Sequence, residues 1–97
     1  MATVSAPISA DSVVVVCNAN APRQIIKVYA YDSTGSTSLT VYDAASTTIV
    51  AQKQIAFLNL TSANVLYELD FGEPVDCDIG IELEIAGSGT KAWVVWK

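Results

Sequence analysis

Histidine is absent from this 97-residue chain. Its absence removes Ser-His-Asp and Cys-His catalysis, and with them the commonest metal ligand. Cysteine occurs twice, at Cys17 and Cys77, too few to build a structural zinc site alone. Cys17 closes an apolar run, where a thiol behaves as a small hydrophobe. Cys77 stands between Asp76 and Asp78, whose carboxylates oppose thiolate formation. No basic start followed by a continuous apolar run opens the chain, and the apolar run 13–17 is too short to cross a membrane. Cytoplasmic synthesis, reduced buried thiols and no membrane role are therefore expected, with a Cys17–Cys77 disulfide the alternative for an exported protein. Basic residues are scarce, 5 Lys and Arg against 10 Asp and Glu, for a net charge of −5. A duplex-binding surface is basic, so nucleic acid is not expected as the partner.

Motifs for chemistry are also missing. Gly87-Ser88-Gly89 lacks the following helix that a phosphate loop needs, and reads as a hairpin turn. Acidic residues cluster late, at Glu68, Asp70, Glu73, Asp76, Asp78, Glu82 and Glu84. Glu73, Asp76 and Asp78 fall in one expected loop, but their spacing matches no calcium-loop pattern, and they read as a solvated rim. Paired carboxylates hydrolyse glycosides only across a cleft, which a chain this short does not announce. The expectation is a protein that is not an enzyme, with no catalytic residue, cofactor or metal site.

What is present is alternation. Ile79, Ile81, Leu83 and Ile85 point one way, and Gly80, Glu82, Glu84 and Ala86 the other, as on a strand with one buried and one wet face. The two-residue period recurs along most of the chain, and no stretch has a helical period. Strands are expected over 12–18, 23–32, 37–43, 47–55, 65–71, 79–86 and 90–97. On the second, Ile26, Val28 and Ala30 should share one face and Ile25, Lys27, Tyr29 and Tyr31 the other. Ser33-Thr34-Gly35-Ser36 reads as a tight turn with glycine where positive φ is wanted. Residues 56–64, with Phe57, Leu58 and Leu60, read as an apolar loop or a short helical turn, and 72–78 as a loop carrying Pro74. The fold class is thus all-β, an antiparallel β-sandwich of about seven strands, jelly-roll or immunoglobulin-like. Residues 12–97 form one domain, preceded by a flexible N-terminal arm over 1–11.

Apolar residues make up 52% of the chain and charged ones only 15%, more apolar than a small domain can hide by itself. Part of that surface should be covered by a partner, which points to a homo-oligomer or to docking in a larger assembly. The last strand carries a tryptophan on each face, Trp93 on one and Trp96 on the other. One set fills the core; the other needs a cover, either the apolar segment 57–60, a second protein or a sugar ring.

A polar arm, then Arg23-Gln24-Ile25-Ile26-Lys27-Val28-Tyr29-Ala30-Tyr31, then Leu39-Thr40-Val41-Tyr42-Asp43, form the first half of a recognisable layout. Tyr67-Glu68-Leu69-Asp70-Phe71-Gly72-Glu73-Pro74, Ile79-Gly80-Ile81 and Gly89-Thr90-Lys91-Ala92-Trp93-Val94-Val95-Trp96 complete it. Over about residues 12–97 this pattern resembles the small β-sandwich structural proteins of tailed bacteriophage particles. The resemblance implies a virion location and a role as capsid decoration or cement protein. It also implies major capsid or other virion proteins as partners, symmetric copies such as a trimer, and no catalysis. The residues expected at the partner interface are Val4, Pro7 and Ile8 in the arm and Tyr29, Tyr31 and Trp93 on the domain. Deleting residues 1–10 is expected to leave the domain folded and to abolish capsid binding. The alternative is a carbohydrate-binding or host-recognition module whose aromatics stack on sugars and whose Glu73, Asp76 and Asp78 hold calcium.

Overall fold

A computed structural model describes residues 3–4, 8–9, 12–18, 23–44, 53–87 and 89–97. Nine strands occur among them, in chain order β1 (Thr3–Val4), β2 (Ile8–Ser9), β3 (Ser12–Asn18), β4 (Arg23–Asp32), β5 (Thr37–Asp43), β6 (Lys53–Leu60), β7 (Val65–Cys77), β8 (Gly80–Ala86) and β9 (Thr90–Trp96). The described residues contain no helix. One sheet has the order β1-β9-β4-β7, with β2 also on β9; the second has the order β3-β8-β5-β6. Every pairing among the described residues is antiparallel.

The pairings are nested. β5 pairs with β6, β4 with β7, β3 with β8, and the arm strands β1 and β2 with β9. The chain is one long antiparallel ribbon whose tip is the β5–β6 hairpin, and successive rungs fall alternately in the two sheets. The sheets share a single core. Ile25, Val28, Ala30, Ala92 and Val94 from the first meet Leu39, Val41, Ile81, Leu83 and Ile85 from the second. Alternating apolar residues of β4, β5, β8 and β9 supply most of this core, each strand burying one face against the opposite sheet.

The all-β, antiparallel expectation holds, and several finer expectations do not. The strand count of about seven differs from the nine segments described, two of which are two residues long. The expected fourth strand at 47–55 falls largely outside the described residues, and β6 runs instead through 53–60, a stretch that reads as a loop or helical turn in the sequence. Its period is mixed because β6 is an edge strand, with Phe57 51% exposed and Leu60 buried. β7 continues through residues 72–77 of the expected loop. Its partner register jumps from Lys27↔Asp70 to Ile25↔Val75, so residues 71–74 form a bulge, with Gly72 at φ 77. An edge strand tolerates Pro74 there because no neighbour needs its missing N–H.

Two facing expectations are also overturned. On β4 the buried residues are Ile25, Val28, Ala30 and Asp32, not Ile26, Val28 and Ala30. A bulge at Ile26, between the pairs Ile25↔Trp96 and Lys27↔Val95, shifts the alternation by one residue. On β8, Glu82 is fully buried and Glu84 half-buried, not on a wet face, and Ile79 is 49% exposed before the strand begins. β8 lies between β3 and β5, and Glu84 accepts a 2.7 Å hydrogen bond from the Tyr42 hydroxyl. That bond, together with burial, raises the Tyr42 pKa.

Candidate interaction face

The candidate site is the outer face of the β1-β9-β4-β7 sheet. Alternation on β9 turns Ala92 and Val94 into the core and leaves Lys91, Trp93 and Val95 outward. Beyond the Ile26 bulge, β4 presents Lys27, Tyr29 and Tyr31 on the same side. On β7, Tyr67, Leu69 and Phe71 pack against the core, which leaves Leu66, Glu68 and Asp70 outward. Register sorts these side chains into rows across the strands, since directly opposed residues share a face. Val4, Val95, Lys27 and Asp70 make the first row. Trp93, Tyr29 and Glu68 make the second, and Lys91, Tyr31 and Leu66 the third.

The face is apolar through its middle and charged toward β7. Val4 and Leu66 are 61% and 60% exposed, and Trp93, Tyr29, Tyr31 and Val95 are half-buried. The Lys27 ammonium lies 3.8 Å from Glu68, 3.7 Å from Asp70 and 5.8 Å from the centre of the Tyr29 ring. The Glu68 carboxylate, with smaller help from Tyr29 and Asp70, raises the Lys27 pKa. These are solvent-exposed ion pairs that orient side chains more than they stabilise the fold. Tyr31 is tied down by a 2.7 Å hydrogen bond from its hydroxyl to Asn64 Oδ1. Asn64 turns the chain into β7 at φ 59, a backbone region asparagine enters more readily than most residues.

Four of the six residues expected at a partner interface, Val4, Tyr29, Tyr31 and Trp93, lie on this one face. Pro7 lies outside the described residues. Ile8 is 7% exposed and belongs to the core cluster, because its partner is the inward-facing Ala92. The segment 57–60 does not cover Trp93, since β6 belongs to the other sheet. Trp96 faces inward and packs against the core, with the Arg23 guanidinium 5.5 Å from its ring centre. Sequence reasoning missed Val95 and Leu66, which join the patch through cross-strand register alone.

The late acidic residues are dispersed. Glu73 sits in the β7 bulge, Asp76 accepts a 2.8 Å hydrogen bond from the Gln24 side chain, and Asp78 is exposed in the bend before β8. Among the described residues, no group of three or more His, Cys, Asp or Glu is placed to hold a metal ion. Cys77 is buried, its sulfur 3.9 Å from the Val75 carbonyl oxygen. No helix among the described residues is long and apolar enough to cross a membrane.

Two carboxylates that sequence reasoning placed only at strand ends gather the backbone of adjoining turns. Asp32 accepts hydrogen bonds from the Thr34, Gly35 and Ser36 N–H groups and from the Thr34 and Thr90 hydroxyls. Asp43 accepts from the Asp78, Ile79 and Gly80 N–H groups at 3.0, 2.9 and 3.2 Å. Burial pushes both carboxyls up, but the hydrogen bonds outweigh it and hold both pKa values below the ordinary carboxylate range.

No family model, curated protein or solved structure matches this chain.

Proposed function

We propose that this chain is a non-enzymatic structural protein of a phage virion, a capsid decoration or cement protein that binds shell proteins through the outer face of the β1-β9-β4-β7 sheet. One observation carries the reading. Val4, Val95, Trp93, Tyr29, Tyr31 and Leu66 form an open apolar and aromatic patch, continuous with the arm through the Val4↔Val95 pair. A flat, aromatic-rich surface on a rigid sheet suits a protein partner, whereas small ligands are held in concave sites. A protein that binds only the assembled shell stabilises it by mass action.

The fold reading that accompanies this proposal is a jelly roll. With β1 and β2 counted as one interrupted strand, eight strands pair first with last, second with seventh, third with sixth and fourth with fifth. That nesting is how a rolled ribbon is built, and it differs from the immunoglobulin-like order. Jelly rolls recur in viral capsid and lectin domains; this supports the virion reading by analogy of fold alone.

The test is co-sedimentation of the purified chain with assembled heads, and separately with tails, of a tailed phage whose genome is found to encode it, against unassembled coat subunits. Saturable binding to heads, lost in Trp93→Ala and Tyr29→Ala with the fold intact, is expected. Absence of binding to heads and tails alike overturns the reading. The second reading, a carbohydrate-binding module, draws on Trp93 and Tyr29 standing side by side on the open face. It gains if a glycan array lights up with the wild type and not with Trp93→Ala.

A further inference from the structure

We propose that the open edge of β7 takes up an extended, lysine- or arginine-bearing segment of another protein as an added strand. β7 is the edge strand of its sheet and, among the described residues, pairs only with β4. On its other side, alternate residues turn their N–H and C=O groups toward solvent. The core is unsealed along this flank. Among the described residues, the apolar side chains that pack on the core while staying partly exposed are, apart from Trp96, all on β6 and β7: Ile55, Ala56, Leu58, Tyr67, Leu69 and Phe71. The opposite edge of the same sheet is closed by a short added strand. There β2 pairs with β9, and its Ile8 drops into the core at 7% exposure. Among the described residues, β7 has no such cover.

Charge selects the occupant. The stretch Val65–Asp70 is regular, each residue opposite one of β4, from Val65↔Asp32 to Asp70↔Lys27. The bulge and Pro74 then end it, so the docking stretch is short and flat. Glu68 and Asp70, both exposed on its outer side, share one cation, Lys27, at 3.8 and 3.7 Å. Glu73 and Asp76 follow, and β7 itself holds no Lys or Arg. A second β7 laid antiparallel on the first would set carboxylate against carboxylate, which is unfavourable. The arm of a second copy does not answer the charge either, since residues 1–10 contain no Lys or Arg. The carboxylates thus guard β7 against its own copies and favour a foreign segment with cations opposite Glu68 and Asp70. Such a segment alternates, cationic on the outer face and apolar toward Tyr67, Leu69 and Phe71. The inference goes beyond the shell reading and does not rest on it.

Peptide binding to the purified full chain tests it. The probe is a short, fluorophore-labelled peptide of alternating lysine and valine, followed by anisotropy. Its controls are a glutamate–valine peptide and the lysine–valine peptide N-methylated along its backbone, which keeps the charge but cannot donate to a strand edge. Saturable binding of the unmodified lysine peptide alone is expected, with β7 amides gaining protection from hydrogen exchange. Glu68→Gln combined with Asp70→Asn should weaken it about tenfold, the loss of two exposed ion pairs. The peptide comparison needs no variant, so it decides the matter even where the double substitution unfolds. Equal binding of the N-methylated peptide overturns the inference, since charge alone then holds the probe. Protection on β6 in place of β7, or no binding of the lysine peptide, overturns it equally. Shell binding is measured on phage particles with Trp93 and Tyr29 variants, so either proposal can fail alone.

Discussion

Asp32 shows how much one side chain can hold. Its carboxylate gathers three backbone N–H groups of the turn that follows β4 and the hydroxyl of Thr90 at the start of β9. Replacing it by alanine removes the acceptor of three part-buried turn N–H groups and of the buried Thr90 hydroxyl, which costs about 1–3 kcal/mol; urea unfolding measures this. Its acid behaviour follows from the lowered pKa. The folded-state value lies below the unfolded one, so the stabilisation is complete above the unfolded carboxylate range and is lost as pH falls through the folded value. The same sign holds for Asp43. Stability measured from neutral pH down into strong acid should therefore fall, and the double variant Asp32→Asn, Asp43→Asn should be less stable at neutral pH and show a flatter acid limb. Gly35 belongs to the same turn. It sits at φ 73, and an alanine Cβ there would stand 3.0 Å from the Ala63 backbone nitrogen. Gly35→Ala should cost about 1 kcal/mol or more, read from the same denaturation curves.

Strands were legible where alternation was clean. The faces of β5 and β9 follow their sequence period, with Leu39 and Val41 inward on one and Ala92 and Val94 inward on the other. β4 shows why alternation alone fails. Its sequence reads smoothly from Arg23 to Asp32, yet the bulge at Ile26 turns Ile25 inward. A bulge is set by what the neighbouring strands require, and nothing in the residues Ile25-Ile26 announces it. Deleting Ile26 removes the extra residue and leaves Ile25 and Lys27 in simple alternation opposite Trp96 and Val95, so Ile25 should stay buried and the domain should keep a cooperative thermal transition. The arm was legible as a polar, proline-containing segment, but the burial of Ile8 depends on Ala92, its partner at the opposite end of the chain. Ile8→Ala should cost about 2 kcal/mol, and removal of residues 1–10 at least as much, because both leave core beside Ala92 uncovered. Trp93→Ala, on a half-buried outward position, should cost about 1 kcal/mol or less in stability, a contrast that separates the outer face of the sheet from the core.

The whole molecule is organised by pairs that are far apart in sequence. Its first strands meet its last, and each rung inside that pair is closed by a shorter loop, down to the β5–β6 hairpin. Such nesting makes contacts non-local, and non-local strand pairing is slow because loop closure must precede the contacts that reward it. Refolding followed by tryptophan fluorescence should run on the order of milliseconds to seconds. Trp93 and Trp96, both on β9, should report the outermost pairing late, and Val41→Ala near the ribbon's tip should slow refolding more than Ile8→Ala does.

The amino-acid order by itself determined the all-β class, most strand positions, the Gly35 turn and the lack of histidine chemistry. These follow from local stereochemistry and from composition, and both are written in neighbouring residues. Only the tertiary structure decided that Val4, Trp93, Tyr29, Tyr31, Val95 and Leu66 share one face, that Ile8 is core, and that Glu82 is buried. Those outcomes depend on register, bulges and sheet order, which arise between strands distant in the chain and leave no periodic trace within any one of them.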